Sequence, residues 1–305
     1  MKIVIFDCNG GKFTKVLREH WESQGHKVEF TLYWDPVMCQ DADVIFFDWV
    51  DNSVQRASDP NDKFYSELKC DFPKGRAKII CRCHDIDMWC HNLRGVKPGF
   101  IDDLVFVADH TARIAKERGE DKADRVHIIK HGIENKFTFK EHVHNKKIAW
   151  VGRYDSNKNF YKALDILMEL PRDYELHACG RRKLANWEEA YFDDRVERNG
   201  LKVFYYEDVP DMNAWLEDKE FSLLTSGKEA FSYSTAEAMS KGIKPIIHHF
   251  YGATEVYPEK YIFDSNSEAV KMILSKDYNS IEYMDFIKKK YPISKFFEEY
   301  DKLLK

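Results

Sequence analysis

Two carboxylates, Glu229 and Glu237, stand eight positions apart in the stretch Ser226–Gly242, SGKEAFSYSTAEAMSKG. Upstream, EFSLLT (Glu220–Thr225) is a short apolar run of strand formers. Downstream, STAEAMSKG opens on a hydroxyl, continues with helix formers and ends at Gly242, where a helix would stop. Lys244–His248 repeats the buried-strand pattern. The order strand, loop, helix, strand is the building block of a parallel sheet, in which ligands sit at the carboxyl ends of the strands. Glu229 then falls on the loop and Glu237 one or two turns into the helix, with the backbone N–H groups of residues 230–235 between them. Such N–H groups suit anionic or hydroxyl-rich ligands. Carboxylates accept from sugar-like hydroxyls, while amides and the helix dipole take phosphate oxygens, so the combination fits a ligand carrying both. Taken singly, Glu229 reads as a solvated loop charge and Glu237 as an exposed helix residue.

Two further places carry chemistry. Lys147–Arg153, KIAWVGR, is a strand that delivers Arg153 to a loop, and Lys158 follows five positions later. A fork-shaped guanidinium and an ammonium stabilise a phosphate that gains negative charge as a bond breaks, more in the transition state than before it; solvated surface cations are the simpler reading. In Ala77–Asp87, AKIICRCHDID, a strand would place His84 at its carboxyl end, in the ionisable company of Arg82, Asp85 and Asp87. His84 reads as a ligand-contacting histidine, as a satisfied structural one, or as part of a metal site with Cys81, Cys83, Cys90 and His91. The spacings are not those of a zinc knuckle, and strand alternation points His84 away from Cys81 and Cys83, so no metal is expected.

The elements that must position these residues follow from the apolar pattern. Lys2–Asp7 is a strand, Gly10-Gly11 lies in the turn after it, and Phe13–Gln24 is an amphipathic helix ended by Gly25. The turn lacks a GxGxxG fingerprint; its glycines read either as an ordinary tight turn or as backbone open to a phosphate or sugar. Lys27–Leu32, Ala42–Trp49, Asp102–Ala108 and Val126–Lys130 read as further strands, and Asp109–Arg118 as a helix capped by Asp109 or Thr111. In the second half, strands at Tyr174–Cys179 and Lys202–Glu207 lead to Gly180-Arg181 and to a turn at Asp208–Asp211. A polar, His- and Lys-rich linker falls at about 136–145. Tyr283–Leu304 is amphipathic, and Phe286, Phe296, Phe297 and Leu303 need burial.

With 305 residues, 44% apolar and 14% aromatic, the chain has core enough for two domains. A net charge of −5 argues against nucleic acid held by bulk electrostatics. Seven cysteines, without a signal peptide or an apolar run near the roughly 18 residues needed to cross a bilayer, point to a reducing cytoplasm and no membrane span.

The stretch from Glu229 to Gly242 resembles the E-x7-E signature of glycosyltransferase family 4. Glu229-Ala230-Phe231-Ser232 matches its Glu-Gly-Phe-Gly turn, and Glu237-Ala238-Met239-Ser240-Lys241-Gly242 its Glu-Ala-Met-x-x-Gly helix; Ala230 and Ser232 stand where the family carries glycine. Val151-Gly152-Arg153 with Lys158 resembles its diphosphate clamp, and His84 its strand-end histidine. Gly132-Ile133-Glu134 is similar to the turn closing its first domain, and Gly252–Val256 to a later Gly-x-x-Glu turn. The resemblance implies an α/β GT-B fold, two Rossmann-like doubly wound domains facing across a cleft: residues 1–142 on the acceptor side, 143–282 on the nucleotide-sugar side, and 283–305 as a helix returning to the first domain.

It also implies a retaining glycosyltransferase, a hexosyltransferase, that uses a nucleotide-diphosphate sugar as co-substrate, UDP-glucose by default, and no further cofactor. In it His84, Arg153, Lys158 and Glu229 are catalytic. Gly10, Gly11, Gly180, Arg181, Val209, Phe231, Ser232, Tyr233, Ser234 and Glu237 join Arg153, Lys158 and Glu229 as donor contacts. The acceptor is open. A nucleotide-sugar epimerase and a non-catalytic sugar-nucleotide binding protein are the alternatives on the same architecture.

Overall fold

A computed structural model describes residues 1–305 apart from His142 and Asp208. The linker expected at 136–145 and the turn expected at Asp208–Asp211 each include one of those two, which lie outside the described residues. The described residues form two parallel six-stranded sheets and divide into two compact units, Met1–His131 with Ser294–Lys305, and Gly132–Ile293.

In the N-terminal unit the strands are β1 (Lys2–Asp7), β2 (Lys27–Thr31), β3 (Val44–Asp48), β4 (Lys78–Cys83), β5 (Asp103–Phe106) and β6 (Arg125–Ile128), in the spatial order β2-β1-β3-β4-β5-β6. The unbroken apolar runs of β1, β3 and β4 are buried on both faces, as central strands of a parallel sheet must be, whereas β2 and β6 are partly exposed edges. Chain order reverses between β1 and β3, and there Asp7 lies opposite Asp48, which in turn lies opposite Arg82 on β4. The helix after β5 starts at Asp109 with Ala108 as its N-cap; neither Asp109 nor Thr111 caps it, and the Thr111 hydroxyl donates instead to Ala108 O at 2.7 Å.

The C-terminal unit contains β7 (Lys147–Val151), β8 (Glu175–Cys179), β9 (Lys202–Tyr206), β10 (Phe221–Leu224), β11 (Lys244–His248) and β12 (Ile262–Phe263), in the order β12-β11-β10-β7-β8-β9. Here the reversal falls between β7 and β10. Because every strand pair is parallel, the loops that follow these strands gather along one edge of the sheet, and the gap at a reversal is where ligands enter such sheets.

The chain end departs from the sequence reading. Tyr283–Leu304 is not one helix but two, Ser280–Lys290 and Ile293–Leu303, parted at Tyr291-Pro292. Proline has no N–H to donate and disfavours helical geometry in the residue before it. The first helix belongs to the C-terminal unit, where Tyr283, Phe286, Ile287 and Tyr291 join the core under β11. Only from Ser294 does the chain belong to the N-terminal unit. There Tyr300 packs edge-on against Trp21 and Phe46, and the Asp301 carboxylate accepts from Trp21 Nε1 (3.2 Å) and Gln24 Nε2 (3.0 Å), with His20 Nε2 at 3.0 Å. The division between units falls after His131 rather than inside 136–145, since Ile133 and Phe137 are already buried in the C-terminal core. Among the described residues no helix is long and apolar enough to cross a membrane.

Candidate functional site

At the reversal of the C-terminal sheet the loop after β7 is stitched to the loop after β10. Trp150 Nε1 donates to Thr225 Oγ1 (2.9 Å), whose hydroxyl donates to Lys158 O (2.6 Å); Gly227 N donates to Asn157 O (2.9 Å), and Asn157 Nδ2 to Lys228 O (3.1 Å). Asp155 accepts from Lys158 N at 2.9 Å and turns the chain, and the left-handed Asn159 (φ 52°) caps the helix Phe160–Glu169 by accepting from Lys162 N. This lattice sets Lys158 Nζ 2.5 Å from Glu229 Oε1, with the two side chains 23% and 11% exposed. The pair sits in the gap where a parallel sheet takes its ligand.

Two glycines make room for it. The Lys158 stem lies over Gly152, where an added Cβ would come within 3.2 Å of it. Gly180, at φ +148°, crosses so close to Gly152 that a Cβ would fall 1.9 Å from Gly152 O. The ends of β7 and β8 can therefore touch only as bare backbone. Gly180 N donates to Tyr206 O at 2.7 Å, which ties in the end of β9.

The E-x7-E helix is Tyr233–Ser240, with Ser232 as its N-cap. Ser232 Oγ accepts from Thr235 N (3.4 Å), its carbonyl accepts from Ala236 N (3.0 Å), and the buried Tyr257 hydroxyl donates to the same carbonyl at 3.1 Å. The two residues that stand for family glycines are thus absorbed by the fold: Ala230 is buried and Ser232 caps. The Phe231 ring packs on Tyr291 (4.8 Å) and Tyr233 (5.2 Å), so only its backbone is placed to meet a ligand. Tyr233 and Ser234 are the first two helical positions, whose N–H groups have no partner within a helix.

Glu237 lies on this helix, partly buried, and no hydrogen bond or ion pair holds its carboxyl among the described residues. Loss of solvation pushes it up to about 7; the Lys136 charge opposes that rise and Glu134 adds to it. Arg153 projects into solvent, 81% exposed, with Nε 3.1 Å from Asp155 Oδ2. Arg181 is exposed beyond Gly180, and Val209 is half-buried on the loop after β9, the far edge of the sheet. The structure therefore joins Lys158 directly to Glu229, sets Gly180 and Arg153 on the same strand-end edge, and leaves Arg181 and Val209 on its outer loops.

In the N-terminal unit Gly10 (φ +80°) and Gly11 (φ +77°) form the turn after β1. A Cβ on Gly11 would reach 2.9 Å from the Phe30 ring, while Gly10 has nothing within 4 Å. His84 is buried at the end of β4, stacked on Trp49 with ring centres 3.7 Å apart, and its backbone N–H donates to Asp87 Oδ2 (2.8 Å). Its Nε2 lies 2.8 Å from Asp48 Oδ1, which also accepts from the fully buried Arg82 Nε (2.6 Å); Arg82 Nη2 donates on to Phe13 O (3.0 Å). Burial alone would raise the Asp48 carboxyl, but the charges and hydrogen bonds of Arg82 and His84 outweigh it and hold it low. Asp7, facing Asp48, is raised by burial and by the Asp48 charge, and His131, 5.8 Å from His84 ring to ring, is driven well down by burial and by Arg82. The partners expected for His84 were its sequence neighbours. Asp87 is one, but the side-chain partner is Asp48, 36 positions away at the end of β3, and the only local sign of it is the acid that closes the apolar run VIFF.

Residues 132–288, just over half of the chain, match the family model of glycosyl transferases group 1. No curated protein sequence matches. Among solved structures, Anabaena Alr3699/HepE in complex with UDP-glucose is similar to this chain at TM-score 0.77 and 15% identity, over 100% of this chain and 99% of its own. The sucrose-phosphate synthase of Thermosynechococcus elongatus is similar at TM-score 0.76 and 13% identity, over 99% and 98%. The lipopolysaccharide outer core galactosyltransferase WaaB, in its apo form, follows at TM-score 0.71 and 14% identity, over 100% and 99%. At such identities the likeness is one of fold, two Rossmann-like sheets of the GT-B kind. With its C-terminal unit matched from end to near end by the family model, the chain belongs to the glycosyl transferases group 1.

Proposed function

We propose that the chain moves a hexose from a nucleotide-diphosphate donor to an acceptor hydroxyl, with retention at the anomeric carbon. The Lys158–Glu229 pair at the reversal of the C-terminal sheet carries this reading. An ammonium 2.5 Å from a carboxylate has its charge balanced while the site is empty; an incoming diphosphate takes over the lysine and leaves the carboxylate to accept from sugar hydroxyls. As the bond from anomeric carbon to phosphate oxygen breaks, Lys158 and the flexible Arg153 meet the growing negative charge. The backbone from Phe231 to Ser234 donates to sugar and phosphate oxygens, and Glu237 accepts from the ribose hydroxyls. Gly180, Arg181 and Val209 are assigned to the base and ribose side of the donor. In the N-terminal unit Gly10, Gly11 and His84, the last fixed by Asp48, are the groups we assign to ligand contact, with the acceptor bound on that unit.

UDP-glucose is the donor we favour, because the similar Anabaena structures hold UDP and UDP-glucose. In the retaining course we propose, the leaving phosphate oxygen assists removal of the acceptor proton on the same face of the sugar, so no separate base is assigned. The test is incubation with labelled UDP- and GDP-sugars, with and without a panel of hydroxyl acceptors, followed by NMR of the product anomer. Transfer with unchanged anomeric configuration supports the proposal. Isomerised donor without acceptor would show an epimerase, inversion would remove the retaining course, and saturable binding without turnover would show a binding protein.

A further inference from the structure

Away from the strand ends that carry the proposed chemistry, the N-terminal unit has a cavity of about 500 Å³ between the amino-terminal starts of β4, β5 and β6 and the final helix, Ile293–Leu303. That is the size of a small-molecule pocket. Ile129 and Leu303, 3% and 5% exposed, give it an apolar floor. Around them stand Lys78, Arg125, His127 and Lys302.

The charges are unbalanced in an informative way. Asp103 is the only fully buried acid in the wall, and it is saturated: Arg125 Nε and Nη2 donate to its two oxygens at 2.7 and 2.8 Å, His127 Nε2 lies at 2.7 Å and Lys78 Nζ at 3.4 Å. Burial would raise this carboxyl, yet the Arg125 and His127 hydrogen bonds and the Lys78 charge hold it at about 2. One carboxylate is thus met by three basic groups, and two of them keep donors to spare: the Arg125 guanidinium carries five N–H groups and the Lys78 ammonium three. The second acid in the wall, Glu299, is answered at the surface by Lys302, 2.8 Å away, which also reaches Glu298. Among the side chains that line the cavity, Lys78, Arg125, Lys302 and Lys305 stand against Asp103 and Glu299, an excess of positive charge in a chain whose net charge is −5, so it reflects local placement and not bulk composition. Asp103 also fixes Arg125 and His127 before any ligand arrives, which lowers the ordering cost of binding.

We propose that this cavity binds a small phosphomonoester, its phosphoryl oxygens on Lys78, Arg125 and Lys302 and its carbon body on Ile129 and Leu303. The site is separate from the donor-binding reading and does not depend on it. The experiment titrates phenyl phosphate, and inorganic phosphate as the head group alone, by calorimetry into a chain bearing Arg153→Ala and Lys158→Ala, which removes the phosphate-binding cations of the other unit. One-to-one binding is expected, tighter for phenyl phosphate than for inorganic phosphate, and weakened about tenfold by adding Lys302→Ala at a position whose side chain is 53% exposed. Lys78→Ala gives an independent loss of the same order. Absence of saturable binding up to about 10 mM, or binding that neither change weakens, overturns the proposal.

Discussion

Replacing Glu237 with glutamine isolates the cost of holding away from water a carboxyl that has no partner among the described residues, and the pH dependence reads it directly. In the folded chain this group is pushed from 4.5 up to about 7, so folding favours its protonated form. Below pH 4.5 the folded and unfolded chains both carry the proton, and the group has no effect on stability. Between pH 4.5 and about 7 the unfolded chain releases it first, so stability falls as pH rises; above about 7 the loss is complete. Glutamine mimics the protonated form and keeps no such slope. The full shift corresponds to about 3 kcal/mol, and discounting for the partial exposure of the carboxyl leaves about 1.5 kcal/mol. Urea unfolding followed through the transition of the C-terminal unit, at intervals from pH 5 to 8, should therefore show wild type and Glu237→Gln converging at the acid end and diverging by about that amount at pH 8, with the variant the more stable. The same group makes a second, linked statement. If ribose hydroxyls donate to its carboxylate, donor binding near pH 6.5 expels a proton, and the binding heat measured in buffers of different ionisation enthalpy will differ by a fraction of a proton per site. Parallel stability curves for the two proteins would refute the desolvation argument, and buffer-independent heats would refute the contact with the donor.

Three other outcomes follow from the geometry. Lys158→Ala removes the partner of Glu229 and a cation of the proposed clamp, so turnover should fall by about 10²- to 10³-fold, chiefly in kcat, while the melting temperature drops by only a few degrees; a loss confined to KM would show that the lysine holds the ground state and the transition state equally. Gly180→Ala forces a methyl against the backbone oxygen of Gly152 and strains a φ of +148°, which should cost about 3 kcal/mol or more in denaturant unfolding; a fold of unchanged stability would mean that β7 and β8 are spaced more widely than described. Asp48→Asn leaves the fully buried Arg82 guanidinium facing a neutral amide, at a cost of about 3 to 5 kcal/mol. Calorimetry at neutral pH checks it, and an unaltered transition would show that the Asp48 charge is dispensable there.

The primary structure alone determined the parallel α/β class, most strand positions and the loop-helix placement of Glu229 and Glu237, because these rest on local signals: unbroken apolar runs, a hydroxyl at a helix start, a glycine at its end. Lys244–His248 and Lys2–Asp7 begin and end where those runs do. The helix Asn186–Arg198 was not legible, since it fully buries only Phe192 and so leaves almost no periodic trace. The break at Tyr291-Pro292 was written locally but overridden by the amphipathic spacing on either side. What only tertiary structure decided are the pairings between residues far apart in the chain. Asp48 meets Arg82 and His84 because β3 and β4 are neighbours; Lys158 meets Glu229 because β7 lies beside β10; Gly180 must lack a side chain because its backbone crosses that of Gly152 within touching distance. Strand order is chosen by the burial of whole faces and by loop closure across tens of residues, and no periodicity of two or of 3.6 records it.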